Sequence, residues 1–152
     1  RKSNGEVVFG EIGCRNGGAR LVDQMNFSND IDLFREWARA VCWNTFEPYG
    51  PRSAPLTPSG LGPIERKYNT AIIFKRAIGQ GRITRIEGLE NYVQQYGRYV
   101  VANELLKVGE HRRNWLQTLV SDGFLMVRHP DLATTLRLAE KVATDVRLYA
   151  GG

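Results

Sequence analysis

Cysteine and histidine are scarce in this chain. Cys14 and Cys42 are too few for a disulfide framework, and His111 and His129 lack the paired spacing of a zinc site. No apolar run approaches the roughly 20 residues of a membrane span, so no membrane partner is expected. No signal peptide is visible, and a reduced, cytoplasmic setting is the resulting expectation. Position 1 is not methionine. The chain opens on Arg1-Lys2-Ser3-Asn4-Gly5, a polar turn running into Glu6-Val7-Val8-Phe9, which reads as the middle of a hairpin and therefore as a piece of a longer protein. The remainder is ordinary: 152 residues, 42% hydrophobic and 10% aromatic, are enough for a real core and argue against wholesale disorder.

The net charge of +5 is unevenly spread. Residues 1–65 carry 7 basic and 8 acidic side chains, residues 66–113 carry 10 and 4, and residues 114–152 carry 4 and 4. The whole excess sits in 66–113. That region reads either as a solvated face or as a surface for nucleic acid or another polyanion.

Val7–Ile12 reads as a strand, and Gly13–Gly18 as a glycine-rich loop. Ala19–Met25 predicts a short helix. Ser28-Asn29-Asp30 predicts a second helix start, followed by Ile31, Phe34, Trp37, Ala38 and Val41 at helical spacing. Five of the six prolines fall in residues 48–63, which excludes a regular element there. Asn69–Ile78 and Arg82–Ile86, joined by Gly79-Gln80-Gly81, read as a hairpin. Leu89–Gln95 reads as a helix and Tyr99–Leu106 as a strand. Trp115–Val120 and Phe124–Val127 flank a Ser121-Asp122-Gly123 turn as two short β segments. Pro130 is read as opening a last helix with the stripe Leu132, Leu136, Ala139, Ala143 and Val146. The order of strand, helices, connector, strands and helix predicts an α+β fold with a largely antiparallel sheet.

The stretch with the most chemistry is Glu11-Ile12-Gly13-Cys14-Arg15-Asn16-Gly17-Gly18. A carboxylate can hold Mg²⁺ that is also bound to phosphate, a guanidinium can fork onto phosphoryl oxygens, and a Gly-Gly turn lets backbone N–H groups approach an oxyanion. By residue type alone, a plain strand, turn and helix start fits the stretch better.

The run resembles the last active-site motif of ATP-grasp ligases, Glu-(Ile/Val)-Asn-x-Arg followed by x-Gly-Gly. Glu11, Arg15, Gly17 and Gly18 match it. Gly81-Arg82-Ile83-Thr84-Arg85-Ile86-Glu87-Gly88 is similar to a strand in the C-terminal subdomain of carboxylate–amine ligases of that superfamily, as are Asp122-Gly123-Phe124 and the final helix. The resemblance implies the C-terminal portion of such an enzyme. Residues 1–47 would end the catalytic domain, 48–65 would connect, and 66–152 would form a small α+β subdomain. It implies ATP and Mg²⁺ as cofactors, Glu11 as metal ligand, Arg15 as the catalytic, phosphoryl-binding residue, and the Gly17-Gly18 backbone at the same oxygens. Small-molecule carboxylate and amine substrates follow, with nucleic acid not expected and a homodimer open. Gly13 stands where the family has its metal-binding Asn, which leaves the metal count open. Upstream nucleotide-binding residues would precede Arg1, so the piece alone is expected to be inactive.

Two other classes stay open: a binding module using the basic 66–113 region, and a dimerisation subdomain. Among single residues, Arg20 and Asp23 read as a mutual pair and Cys14 as a small filler. Trp37 and Trp115 read as core, His129 as a structural cap, and His111-Arg112-Arg113 as a solvated loop or an anion grip.

Overall fold

The computed structural model describes residues 3–6, 17–43, 66–114 and 116–152. The expected strand at 7–12, the loop through Asn16 with Glu11, Cys14 and Arg15, the proline-rich connector and Trp115 lie outside the described residues. Two helices come first, α1 (Leu21–Asn29) and α2 (Leu33–Trp43). After the connector come β1 (Asn69–Phe74), β2 (Arg82–Glu87), α3 (Leu89–Tyr96), a single 3₁₀ turn at Gly97–Tyr99 and β3 (Val100–Asn103). The chain ends with β4 (Phe124–His129), α4 (Leu132–Asp145) and β5 (Arg147–Gly151). Among the described residues the strands pair antiparallel, so the α+β expectation is met.

Strand β4 is the apolar centre. Leu125, Met126 and Val127 are fully buried, and β4 sits between β1 and β3. Its side chains alternate between faces. Leu125 and Val127 join Leu138, Val142 and Val146, with Tyr92 and Ile83, in one core. Helix α1 packs on the same sheet through β1 and β4. Each Leu or Val buried this fully contributes about 1.5–3 kcal/mol relative to an exposed position.

The 69–86 segment is not a hairpin. β1 pairs with β4, whereas β2 pairs with β5 in a separate two-stranded sheet. The Gly79-Gln80-Gly81 stretch carries the chain from one sheet to the other. Gly79 and Gly81 have φ of +97° and +87°, and a Cβ on Gly79 would lie 2.1 Å from the Ala150 carbonyl oxygen. Only glycine fits so close a crossing. The helical spacing continues through Val146, where the backbone has already turned extended, and this conceals β5 in the sequence.

Helix boundaries moved for capping reasons. Ala19 and Arg20 are left-handed, so α1 starts at Leu21. Ser28 and Asn29 turn their side chains back onto the Gln24 and Met25 carbonyls, and Asp30 closes the helix in a left-handed cap. The expected start signal is therefore a stop. Asp32 opens α2, its carboxylate accepting from the Arg35 N–H at 3.0 Å. In α4 the N-cap is Asp131, accepting from Thr134 N–H at 2.7 Å, with Pro130 just outside. The buried face of α4 is Thr135, Leu138 and Val142; Leu132 and Leu136 are exposed. Residues 116–120 are turns, not a strand, held by Asn114 accepting from the Leu116 and Gln117 N–H groups.

Tyr92 joins α3 to α4. Its hydroxyl donates to the Leu138 carbonyl at 3.1 Å, and burial, reinforced by Tyr96, pushes its pKa up to about 12. A raised phenol pKa stabilises the fold below the unfolded value near 10, and this stability is lost as pH rises through about 12. We expect the stability difference between the parent and Tyr92→Phe to be about 1 kcal/mol at pH 7. It should shrink between pH 10 and 12. A difference constant across that window, measured by urea unfolding, would contradict the assignment.

Candidate functional site

Of the four motif residues, Gly17 and Gly18 are described. They lead directly into the left-handed turn at Ala19–Arg20 and the first turn of α1, where Leu21 N–H donates to the Gly18 carbonyl at 3.1 Å. Among the described residues, a Cβ on Gly17 would meet the Leu21 Cβ at 2.9 Å, whereas one on Gly18 would meet nothing closer than 3.8 Å. Gly18 therefore offers an uncrowded backbone at the positive end of a helix dipole, a geometry that suits an oxyanion. Glu11 and Arg15 lie outside the described residues. Arg20 does not face this loop freely: it pairs with Asp23 at 3.5 Å and lies over the Phe124 ring.

Helix α1 is fixed to the sheet at its other end. Lys67 and Tyr68 N–H groups both donate to the Ser28 carbonyl, Gln24 donates to the Thr70 carbonyl, and Ser28 Oγ to Thr70 Oγ1. Arg128 on β4 donates to the Phe27 carbonyl and to Asp30, and stacks on Tyr68. The Arg128 hydrogen bond, ahead of the nearby Lys67, holds the Asp30 carboxyl below its ordinary range. The segment that presents Gly17-Gly18 is thus tied to residues distant in sequence, on β1, on β4 and just ahead of β1.

Helix α2 departs from its expected orientation. Phe34, Trp37 and Val41 are half or more exposed, so Trp37 is not core. The buried residue is Glu36, paired with Arg35 at 3.1 Å and Arg39 at 3.6 Å. Its Oε2 has no hydrogen-bond partner among the described residues.

The excess charge of 66–113 is largely spent on structure. Lys75 donates to the Val142 and Ala143 carbonyls at the end of α4, and burial lowers its pKa. Arg85 pairs with Glu87 and stacks on Tyr149, Lys67 pairs with Asp30, and Arg98 lies over Tyr99. Missed in the sequence was Asp122, which reads there as a turn residue. It is buried and accepts from Ala77 N–H at 2.8 Å, Arg113 N–H at 3.1 Å and Arg112 at 2.9–3.0 Å. The Arg20–Asp23 pair and the structural role of His129 stand as expected, the latter's Nδ1 accepting from Asp131 N–H at 2.9 Å.

Among the described residues no three His, Cys, Asp or Glu side chains gather as a metal site, and no helix is long and apolar enough to cross a membrane. No family model and no curated protein matches the chain. Among solved structures, the L-amino acid ligase from Bacillus licheniformis is similar over 91% of this chain, with a TM-score of 0.59 at 18% identity. The chain spans 33% of that ligase's length. Its α+β arrangement is therefore a fold shared with about a third of an L-amino acid ligase.

Proposed function

We propose that the chain is the C-terminal portion of an ATP-grasp carboxylate–amine ligase. The fold likeness to an L-amino acid ligase over 91% of the chain carries the reading. The Glu11–Gly18 motif supports it from the sequence, with Glu11, Arg15, Gly17 and Gly18 matching the superfamily pattern and Gly13 standing in place of its metal-binding Asn. In this reading residues 1–47 end the catalytic domain and 66–152 form the subdomain behind it.

The reaction would run in two steps. A substrate carboxylate attacks the γ-phosphorus of ATP, forming an acyl phosphate and releasing ADP. An amine then attacks the acyl carbon and expels phosphate, forming the C–N bond. Mg²⁺ held by Glu11 would neutralise charge on the nucleotide phosphates. Arg15 would hold the phosphoryl oxygens as negative charge builds on them. The Gly18 N–H would lie at the same oxygens, with the α1 dipole behind it. Such catalysis is positioning and charge stabilisation.

The test is a coupled assay of ADP formation with amino-acid pairs, on the full protein that carries this chain. ATP turnover should require both a carboxylate and an amine substrate, and Glu11→Ala should abolish most of it. The 152-residue chain by itself should turn over no ATP. A full protein that neither binds nor turns over ATP with any amino-acid pair would refute the proposal.

A further inference from the structure

Helix α4 carries two apolar faces, and the core uses one of them. Thr135, Leu138 and Val142 point into the core. The stripe legible in the sequence, Leu132, Leu136, Ala139 and Ala143, lies about 100° further round the helix. At that angle Leu132 and Leu136 stay 55% and 58% exposed, Ala143 is exposed as well, and Ala139 is half-buried. The two leucines wall an open groove of about 470 Å³ that runs past β1 to Leu21 and Met25 of α1, both about half exposed. Among the described residues β1 pairs with β4 alone and is an edge strand of its sheet. Of the residues lining the groove only Arg66 is charged. Large apolar side chains gathered round one groove mark a docking surface, unlike the same residues scattered singly.

The stripe is complementary to itself. Its large residues come first and its small ones last. A second α4 laid antiparallel therefore sets Leu132 against the other copy's Ala143 and Leu136 against its Ala139, large against small, so that the helices can interdigitate. The charges on the rim match in the same orientation. Glu140 is exposed and forms no ion pair among the described residues. Arg137 donates to the Thr134 hydroxyl at 2.7 Å and closes no ion pair among the described residues, the nearby Asp131 being engaged as the N-cap. Arg137 and Glu140 stand one turn apart on one helix without pairing. In the antiparallel arrangement each Glu140 comes beside the second copy's Arg137, and twofold symmetry makes that match twice.

We infer that two copies of the protein associate through this face, as a twofold dimer with antiparallel α4 helices, Leu132 and Leu136 at the centre and Arg137–Glu140 pairs on the rim. Leu21 and Met25 extend the apolar contact past the β1 edge. The inference does not depend on the ligase reading.

The test is sedimentation velocity of the full protein that carries this chain, at about 1–100 μM, where a dimer with a Kd below about 10 μM is expected. Leu136→Asp should weaken the dimer about tenfold or more, and Leu132→Asp, a second variant at the same contact, should do likewise. Both leucines are exposed in the single copy, so the fold should survive, and circular dichroism checks it. Val108→Asp, an equally exposed site outside the groove lining, should leave the dimer unchanged. Arg137→Glu and Glu140→Arg should each weaken it about threefold or more, and the two together in one chain should restore it, because the swapped charges meet again across the twofold. A protein that stays monomeric throughout this range would overturn the proposal. So would a dimer indifferent to both aspartate variants, which would be formed by another surface, or a double charge swap as weak as the single variants.

Discussion

Asp122→Ala is expected to destabilise the chain by about 3–4 kcal/mol, more than most substitutions of a single polar residue. The carboxylate is almost wholly buried, and four donors converge on it: two backbone N–H groups and two nitrogens of Arg112. Its removal leaves the Ala77 N–H buried without an acceptor and the Arg112 guanidinium, 13% exposed, without its counter-charge. The cost is set by these orphaned groups more than by the lost attraction. Asp122→Ala combined with Arg112→Met should therefore be less destabilising than the sum of the two single substitutions, by about 1 kcal/mol or more. Urea unfolding of the four variants measures this. A cost below about 1 kcal/mol for Asp122→Ala alone would show that the cluster is dispensable.

The same residue shows where sequence reading stops. Ser121-Asp122-Gly123 carries a turn signal, and a turn is there. Nothing in the local sequence says that the aspartate points inward, because its partners lie 9 to 45 residues away. The apolar run Phe124–Val127 was legible as a strand, since four consecutive buried positions can be read from composition. Its partners were not. β1 and β2 look like a hairpin by alternation and by the glycine turn between them, but the close approach of Gly79 to Ala150 is a long-range fact that sends them to different sheets.

Helices show the same division. The stripes on α2 and α4 have helical period, and helices formed over both. Periodicity gives the angle of a stripe but not its partner. On α4 the core takes Thr135, Leu138 and Val142 and leaves Leu132 and Leu136 exposed on a groove beside Leu21 and Met25 of α1. On α2 Phe34, Trp37 and Val41 point outward while Glu36 is buried. For the candidate site, the Gly17-Gly18 turn was legible because glycine pairs are local. The cluster around Asp122 was legible only as a turn and a run of charge, since its partners come from residues 77, 112 and 113.

Arg15→Ala should lower ATP turnover by roughly 10²–10³-fold in the full protein, equivalent to about 3–4 kcal/mol of transition-state stabilisation. The proposal gives Arg15 the one fixed positive charge within this motif, acting on phosphoryl oxygens whose charge rises in the transition state. The loss should then fall on kcat, with the KM for ATP changed much less, because a group that serves only the transition state leaves ground-state binding alone. Arg15→Lys should recover part of the rate, since a point charge remains while the planar fork is lost. Gly18→Ala makes a useful companion. Among the described residues its Cβ would meet nothing closer than Leu119 at 3.8 Å, so a loss of turnover with unchanged thermal unfolding would report crowding of a bound oxyanion. Steady-state kinetics on the three variants, with thermal unfolding as the check on folding, separates these terms. If Arg15→Ala keeps turnover within threefold of the parent, Arg15 does not stabilise the transferring phosphoryl group. A rate loss confined to KM would make Arg15 a ground-state ATP contact instead.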